Sequence, residues 1–180
     1  MDQLDKALSN LTIQSPNFES ILYYELKVDK KDYDKIIELV MTTLDLKRDL
    51  NYKEFVVTNN TSKYKVNDEF HITVLYTGCK KDDRSEILNK YINNQYELKI
   101  EKIGINEQFI CIGVNFSDDI PYYGNLVKHI TFGLNKYTQF ENKVLPKDSY
   151  LALSNDNDKN TVKILDKPVV INATFGVKKN

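Results

Sequence analysis

Phe70-His71-Ile72-Thr73-Val74-Leu75-Tyr76 decides the reading of this chain, because its pattern returns once, as Lys128-His129-Ile130-Thr131-Phe132-Gly133-Leu134. These stretches hold the only 2 histidines in 180 residues. Each His is followed by Ile, Thr and another apolar residue, an alternation that predicts a half-buried strand. Side chains of a strand point to its two faces in turn. Each His therefore shares a face with the Thr two positions on, while the Ile between them turns into the core. Two such strands set face to face would offer two imidazoles and two hydroxyls to one site.

Outward from the motifs, the pattern predicts an α+β chain. Ser20 to Val28 reads as a strand, followed by a helix with Asp29 as N-cap, Asp32 in the first turn and Tyr33, Ile36, Ile37, Val40, Met41 and Leu44 at helical spacing. Phe55 to Val57 reads as a short strand, and Asn59 to Asp68 as a polar loop entering the first motif strand (Glu69 to Tyr76). Asp83-Arg84-Ser85-Glu86 has capping-box spacing before a second, shorter helix carrying Ile87, Leu88, Tyr91 and Ile92. Tyr96 to Ile105 and Phe109 to Phe116 read as an antiparallel pair turning near Asn106-Glu107, and His129 to Leu134 as the second motif strand. Asp148 to Leu153 is expected as a helical turn or strand. Thr161 to Leu165 and Val169 to Val177 are expected as a hairpin across Asp166-Lys167-Pro168. Residues 1–18 read as a lead-in, and 19–180 as one bilobed domain.

Composition bounds the function. Hydrophobic residues at 41% suffice for a core, and 25 basic against 26 acidic residues leave a net charge of -1. That balance argues against a duplex DNA binder, which carries a basic stripe. No apolar stretch reaches a membrane span, and Met1 to Asn10 lacks the pattern of a signal peptide. Cys79 and Cys111 are too few for a disulfide framework and read as reduced thiols. The expectation is a cytoplasmic monomer. The Asn, Lys, Ile and Tyr bias suggests an AT-rich genome; if that genome is viral, the compartment is the host cytosol.

The chemistry follows from the residue types. Breaking a phosphodiester needs a base for the attacking oxygen and an acid for the leaving oxygen, and a His with an unperturbed pKa of about 6.5 serves either role near neutral pH. Thr73 and Thr131 would donate to the non-bridging phosphoryl oxygens as charge redistributes. Two His without clustered Cys or carboxylates at ligand spacing argue against a zinc site, and no cofactor is expected. Tyr76 and Tyr150 are candidate base-stacking residues and Lys128 a candidate phosphate contact. One His-x-Thr in a strand needs no explanation beyond β propensity. The pair, with matched flanks, favours catalysis.

The two heptapeptides resemble the paired His-x-Thr/Ser signatures of the 2H phosphoesterase superfamily, which includes LigT-like phosphodiesterases. The aromatic before the first His, the Tyr76-Thr77-Gly78 exit and Leu145-Pro146-Lys147-Asp148-Ser149 are similar to the cyclic phosphodiesterase domain of fungal tRNA ligases. The separation of 58 residues from His71 to His129 is short for that family. The resemblance implies two pseudo-symmetric α+β lobes of mostly antiparallel sheet, an active-site cleft between them, and catalysis without a metal. It also implies a nucleotide or short oligonucleotide substrate with a 2′-linked phosphodiester. Read as free-standing and without a strong basic surface for long RNA, the chain is expected to favour an immune signalling nucleotide such as 2′,3′-cGAMP or 2′,5′-oligoadenylate. The alternatives are a 2′,3′-cyclic phosphodiesterase acting on RNA ends, a module that sequesters a nucleotide without cleaving it, and a structural α+β domain with coincidental motifs.

Overall fold

The computed structural model describes residues 20–48, 54–57, 63–135 and 146–180, with backbone alone at 54–57, 146 and 147. The expected lead-in at 1–18 lies outside the described residues. In chain order the elements are β1 (Ile21–Val28), a 3-10 turn (Lys30–Asp32), α1 (Tyr33–Leu44), β2 (Leu46–Arg48), β3 (Glu54–Val57), β4 (Lys63–Val66) and β5 (His71–Tyr76). There follow α2 (Ser85–Asn89), β6 (Gln95–Ile105), β7 (Phe109–Asn115), β8 (His129–Asn135), a 3-10 segment (Pro146–Leu153) and β9 (Thr161–Lys179). The strands form one nine-stranded sheet in the order β2-β3-β4-β8-β7-β6-β9-β1-β5. Every pairing in it is antiparallel. The α+β class read from the sequence is the class observed.

β1 shows why these residues make strands. Tyr24, Leu26 and Val28 are buried on one face, and Tyr23 and Lys27 are partly exposed on the other. Helix α1 buries Ile36 and Val40, four residues apart, and joins the main core with Leu98, Ile100, Ile130 and Phe132. Its start is not capped as expected. Asp29 Oδ1 instead accepts from Thr174 Oγ1, and Asp32 Oδ2 accepts from the Asn172 backbone N–H, so both carboxylates tie the helix to β9. At α2 the capping box also fails to form. Asp82 takes the Arg84 backbone N–H and guanidinium, one residue before the expected position.

Two further expectations are corrected. Lys63 to Val66, read as loop, is strand β4, paired to β3 and β8; its alternation is too short to stand out in sequence. Thr161 to Val177 is not a hairpin but part of one 19-residue strand, β9. Both of its halves run antiparallel to β6 rather than to each other. Ile100 pairs with Val169 and Lys102 with Ile164, so Leu165 to Pro168 stand opposite the single residue Glu101. A ladder interrupted there has no need of the N–H that Pro168 lacks.

The strand order carries β5 and β8 five strand spacings apart, about 24 Å in a flat sheet. The contacts are far closer. The rings of Phe70 and Phe132 stack with centroids 5.4 Å apart. Asn67 donates its backbone N–H to Phe132 O (2.9 Å) and its side-chain amide to Thr131 O (2.8 Å), and Phe70 O accepts from Val28 N–H (2.9 Å). Four residues, Asn67 to Phe70, thus run from the partner of β8 to the partner of β1. The sheet must curl to allow this.

Truncation of the stacked pair reads out the curl. Phe132→Ala should cost about 3–5 kcal/mol of unfolding free energy in urea titrations. A double-mutant cycle with Phe70→Leu should show coupling on the order of 0.5–1.5 kcal/mol. Additive losses would mean that the two motif strands do not support each other.

Candidate active site

The two motif strands share one irregularity. β1 and β5 pair as Lys27 with His71 and Glu25 with Thr73, then slip by one residue, so that Tyr24 pairs with Leu75 and Tyr23 with Tyr76. β7 and β8 pair as Gly113 with His129 and Cys111 with Thr131, then slip the same way, so that Ile110 pairs with Gly133. The extra residue is Val74 in one strand and Phe132 in the other, each three positions after its His. The burial sequence from His onward is the same in both strands: partly exposed, buried, partly exposed, buried, buried. A bulge of this kind re-aims the side chains beyond it. Simple alternation puts Tyr76 on the face opposite His71; the slip returns it to the His71 side, where it is 66% exposed.

His71 sits in a polar corner made by β1, β5 and β9. Its ring stacks on Tyr23 (centroids 5.2 Å apart, planes 17° apart), and its Nδ1 lies 3.8 Å from Glu25 Oε2. Lys27 Nζ and Lys178 Nζ both reach the Glu69 carboxylate, at 2.9 and 3.4 Å. Burial pushes the His71 pKa down to about 4. Glu69 opposes the shift, whereas Lys178, His129 and Lys27 add to it. His129 is therefore near enough for its charge to be felt at His71. Burial also raises the Glu25 carboxyl above its usual range, with Glu69 acting the same way and Lys27 and Lys178 against it. Burial thus disfavours the charged form of both groups at the Glu25–His71 contact.

His129 has a different backing. Its Nδ1 lies 2.8 Å from Val127 O, and a carbonyl can only accept, so Nδ1 carries the proton and a neutral ring keeps its lone pair on Nε2. Burial lowers its pKa, and the Val127 bond opposes that shift. The 3-10 segment covers this part of the sheet because β6 offers Gly104, where a Cβ would overlap the Ala152 carbonyl. Ala152 and Leu153 pack there with Phe109 and Cys111 in a small second core. That docking sets Tyr150 beside His129 (ring centroids 5.8 Å apart) and the fully buried Ser149 against Thr131, with Oγ to Oγ1 at 2.5 Å. Cys111, its thiol pushed up to about 12 by burial, donates to Ser149 Oγ at 4.0 Å.

On the β5 side, the Tyr123 N–H donates to Val74 O. Gly124 lies so close to Thr73 that a Cβ would stand 2.6 Å from its carbonyl oxygen. Lys128 is engaged elsewhere than at His129: its Nζ is 4.2 Å from the Phe116 ring centroid and 3.8 Å from Asp118 Oδ1. The cations closest in action to His71 are Lys27 and Lys178, which motif reading does not single out. Glu25, Tyr23 and Ser149 were missed for the same reason. Each reaches the motif through strand register or a remote segment, and of the three only Ser149 falls in a stretch that the sequence reading singles out, Leu145 to Ser149.

No protein-family model matches this chain, and no curated protein matches it. Among solved structures it is similar to a crystal structure of a fungal RNA kinase, at 14% identity and a TM-score of 0.49. That similarity covers 97% of this chain and 48% of the other, so the chain spans about half the length of its structural neighbour.

The depressed His71 pKa has a testable sign. Folded His71 gives up its proton near pH 4, whereas the unfolded chain holds one up to about pH 6.5. This group's contribution to stability is therefore fully present above about pH 6.5 and is lost as pH falls toward 4. Urea midpoints measured between these limits should fall less in His71→Gln than in the native chain. Equal slopes would contradict the burial argument.

Proposed function

We propose that the chain is a 2H phosphodiesterase, using paired imidazoles to hydrolyse a 2′-linked phosphodiester in a nucleotide. The observation that carries this reading is the matched setting of the two motifs. Both His-x-Thr segments precede the same register slip, on strands that the curled sheet draws together. In the proposed arrangement the two strands form the floors of two facing lobes. One imidazole takes a proton from the attacking water while the other gives one to the leaving oxygen, and neither step calls for a metal. Thr73 and Thr131 hold the non-bridging oxygens. Thr131 can accept from Ser149 and still donate its own hydrogen, which suits an oxyanion contact. Tyr76 and Tyr150 offer one aromatic face beside each motif for a base.

Among 2′-linked substrates, a small signalling nucleotide (2′,3′-cGAMP or 2′,5′-oligoadenylate) is the preferred class, with 2′,3′-cyclic ends of RNA as the alternative. The purified chain should be compared on all three. His71→Ala and His129→Ala should each lower turnover on the preferred substrate by about 10²–10⁴-fold. Full activity in either variant would sink the two-histidine mechanism. Turnover of RNA ends alone would move the assignment to RNA end processing.

A further inference from the structure

Given the phosphodiesterase reading above, on which this step rests, we propose that Glu25 is a positioning residue that makes His71 the acid and leaves His129 the base. The two imidazoles have matched strand settings but unlike partners. Behind His129 stands the Val127 carbonyl, which fixes a proton on Nδ1 and leaves Nε2 able only to accept. Behind His71 stands Glu25, which is 4% exposed and whose Oε2 is buried without a hydrogen-bond partner among the described residues. A buried carboxyl oxygen left so is costly in the ionised form and is relieved by carrying a proton. The groups facing it are Tyr23 and Lys27 on its own strand, His71 and the adjoining Glu69, and Lys178 on β9. Both lysines are ion-paired with Glu69 rather than with Glu25, and the His71 Nδ1, 3.8 Å from Glu25 Oε2, is a group that can accept a Glu25 proton.

The step balances. Water attacks phosphorus as His129 Nε2 takes its proton, and the bond from phosphorus to the leaving oxygen breaks. That oxygen takes the Nε2 proton of His71, while Glu25 Oε2 passes its own proton to His71 Nδ1. His129 ends as imidazolium, Glu25 as carboxylate and His71 as the other neutral tautomer. Exchange with solvent restores the start. The 3.8 Å separation must shorten by about 1 Å for the transfer, within the travel of one side-chain rotation. A neutral His71 at pH 7 agrees with the burial that depresses its pKa.

Two measurements test this, one of them independent of turnover. Two-bond nitrogen–proton spectra at pH 7 should show His71 as the Nε2–H tautomer and His129 as the Nδ1–H tautomer. An Nδ1–H or doubly protonated His71 overturns the proposal even if no substrate is found. In kinetics, Glu25→Gln keeps a donor for Nδ1 but cannot pass a proton. Turnover should fall about 100-fold on a diester with a ribose alkoxide leaving group and stay within a few-fold of native on its 4-nitrophenyl counterpart, with KM unchanged. Glu25→Asp should recover part of the loss. Equal losses on both substrates would make Glu25 merely structural, and no loss on the alkoxide would remove it from the mechanism. Either result leaves the phosphodiesterase reading standing, because that reading fails only through the histidine variants.

Discussion

Phe70 stacked on Phe132 is the contact on which the rest of the arrangement depends. Phe70 immediately precedes His71, and Phe132 is the bulge residue that follows Thr131, so one aromatic pair ties the two motifs directly. Phe70 is also held from behind. Its N–H donates to the Tyr33 hydroxyl, its carbonyl accepts from Val28, and its ring lies 4.8 Å from that of Tyr33. Helix α1, the inner strand β1 and the distant strand β8 therefore converge on one residue. An antiparallel sheet with its motif strands so far apart in order needs a favourable contact to fold back at this point, beside the short connection through Asn67. Burial of two large rings supplies one, at roughly 1.5–3 kcal/mol per fully buried side chain.

The repeated register slip shows how a strand can serve a core and a site together. Before the slip, Ile72 and Ile130 point into the core and the His and Thr side chains point out. After it, Leu75 takes the core position opposite Tyr24, and the exposed phase begins again with Tyr76. One inserted residue thus keeps the apolar stripe continuous while lengthening the polar face. The same device in two strands of unlike surroundings points to a constraint set by the His-x-Thr segment itself.

Much of this was legible in the sequence, and the failures have a common cause. Strands β1, β5, β6, β7 and β8 and helix α1 all follow from local periodicity, and the two motifs stand out because the chain has no other His. The hairpin expected at 161–177 failed because Pro168 reads as a turn in isolation, whereas pairing to β6 decides whether a turn is needed. Strand β4 was hidden in a polar stretch and is held by partners on both sides. Glu25 looked like one polar residue in an alternating strand. Its proposed role depends on lying opposite Thr73, and register between segments 48 residues apart in sequence leaves no local trace.

What the structure adds to the motif pair is asymmetry. At matching places on the two sheet surfaces, opposite the motif threonines, stand Glu25 and Cys111. The thiol joins a chain of hydroxyls that runs through Ser149 to Thr131, so it steadies the hydroxyl of that motif. The carboxyl lies instead 3.8 Å from the neighbouring imidazole, and in the proposed mechanism it supplies that ring with a proton. A symmetric pair of neutral histidines has no preferred direction of proton flow, and a substrate would have to impose one. Under the phosphodiesterase proposal, unequal partners behind the two rings would impose it in advance and set the direction of cleavage from the protein side.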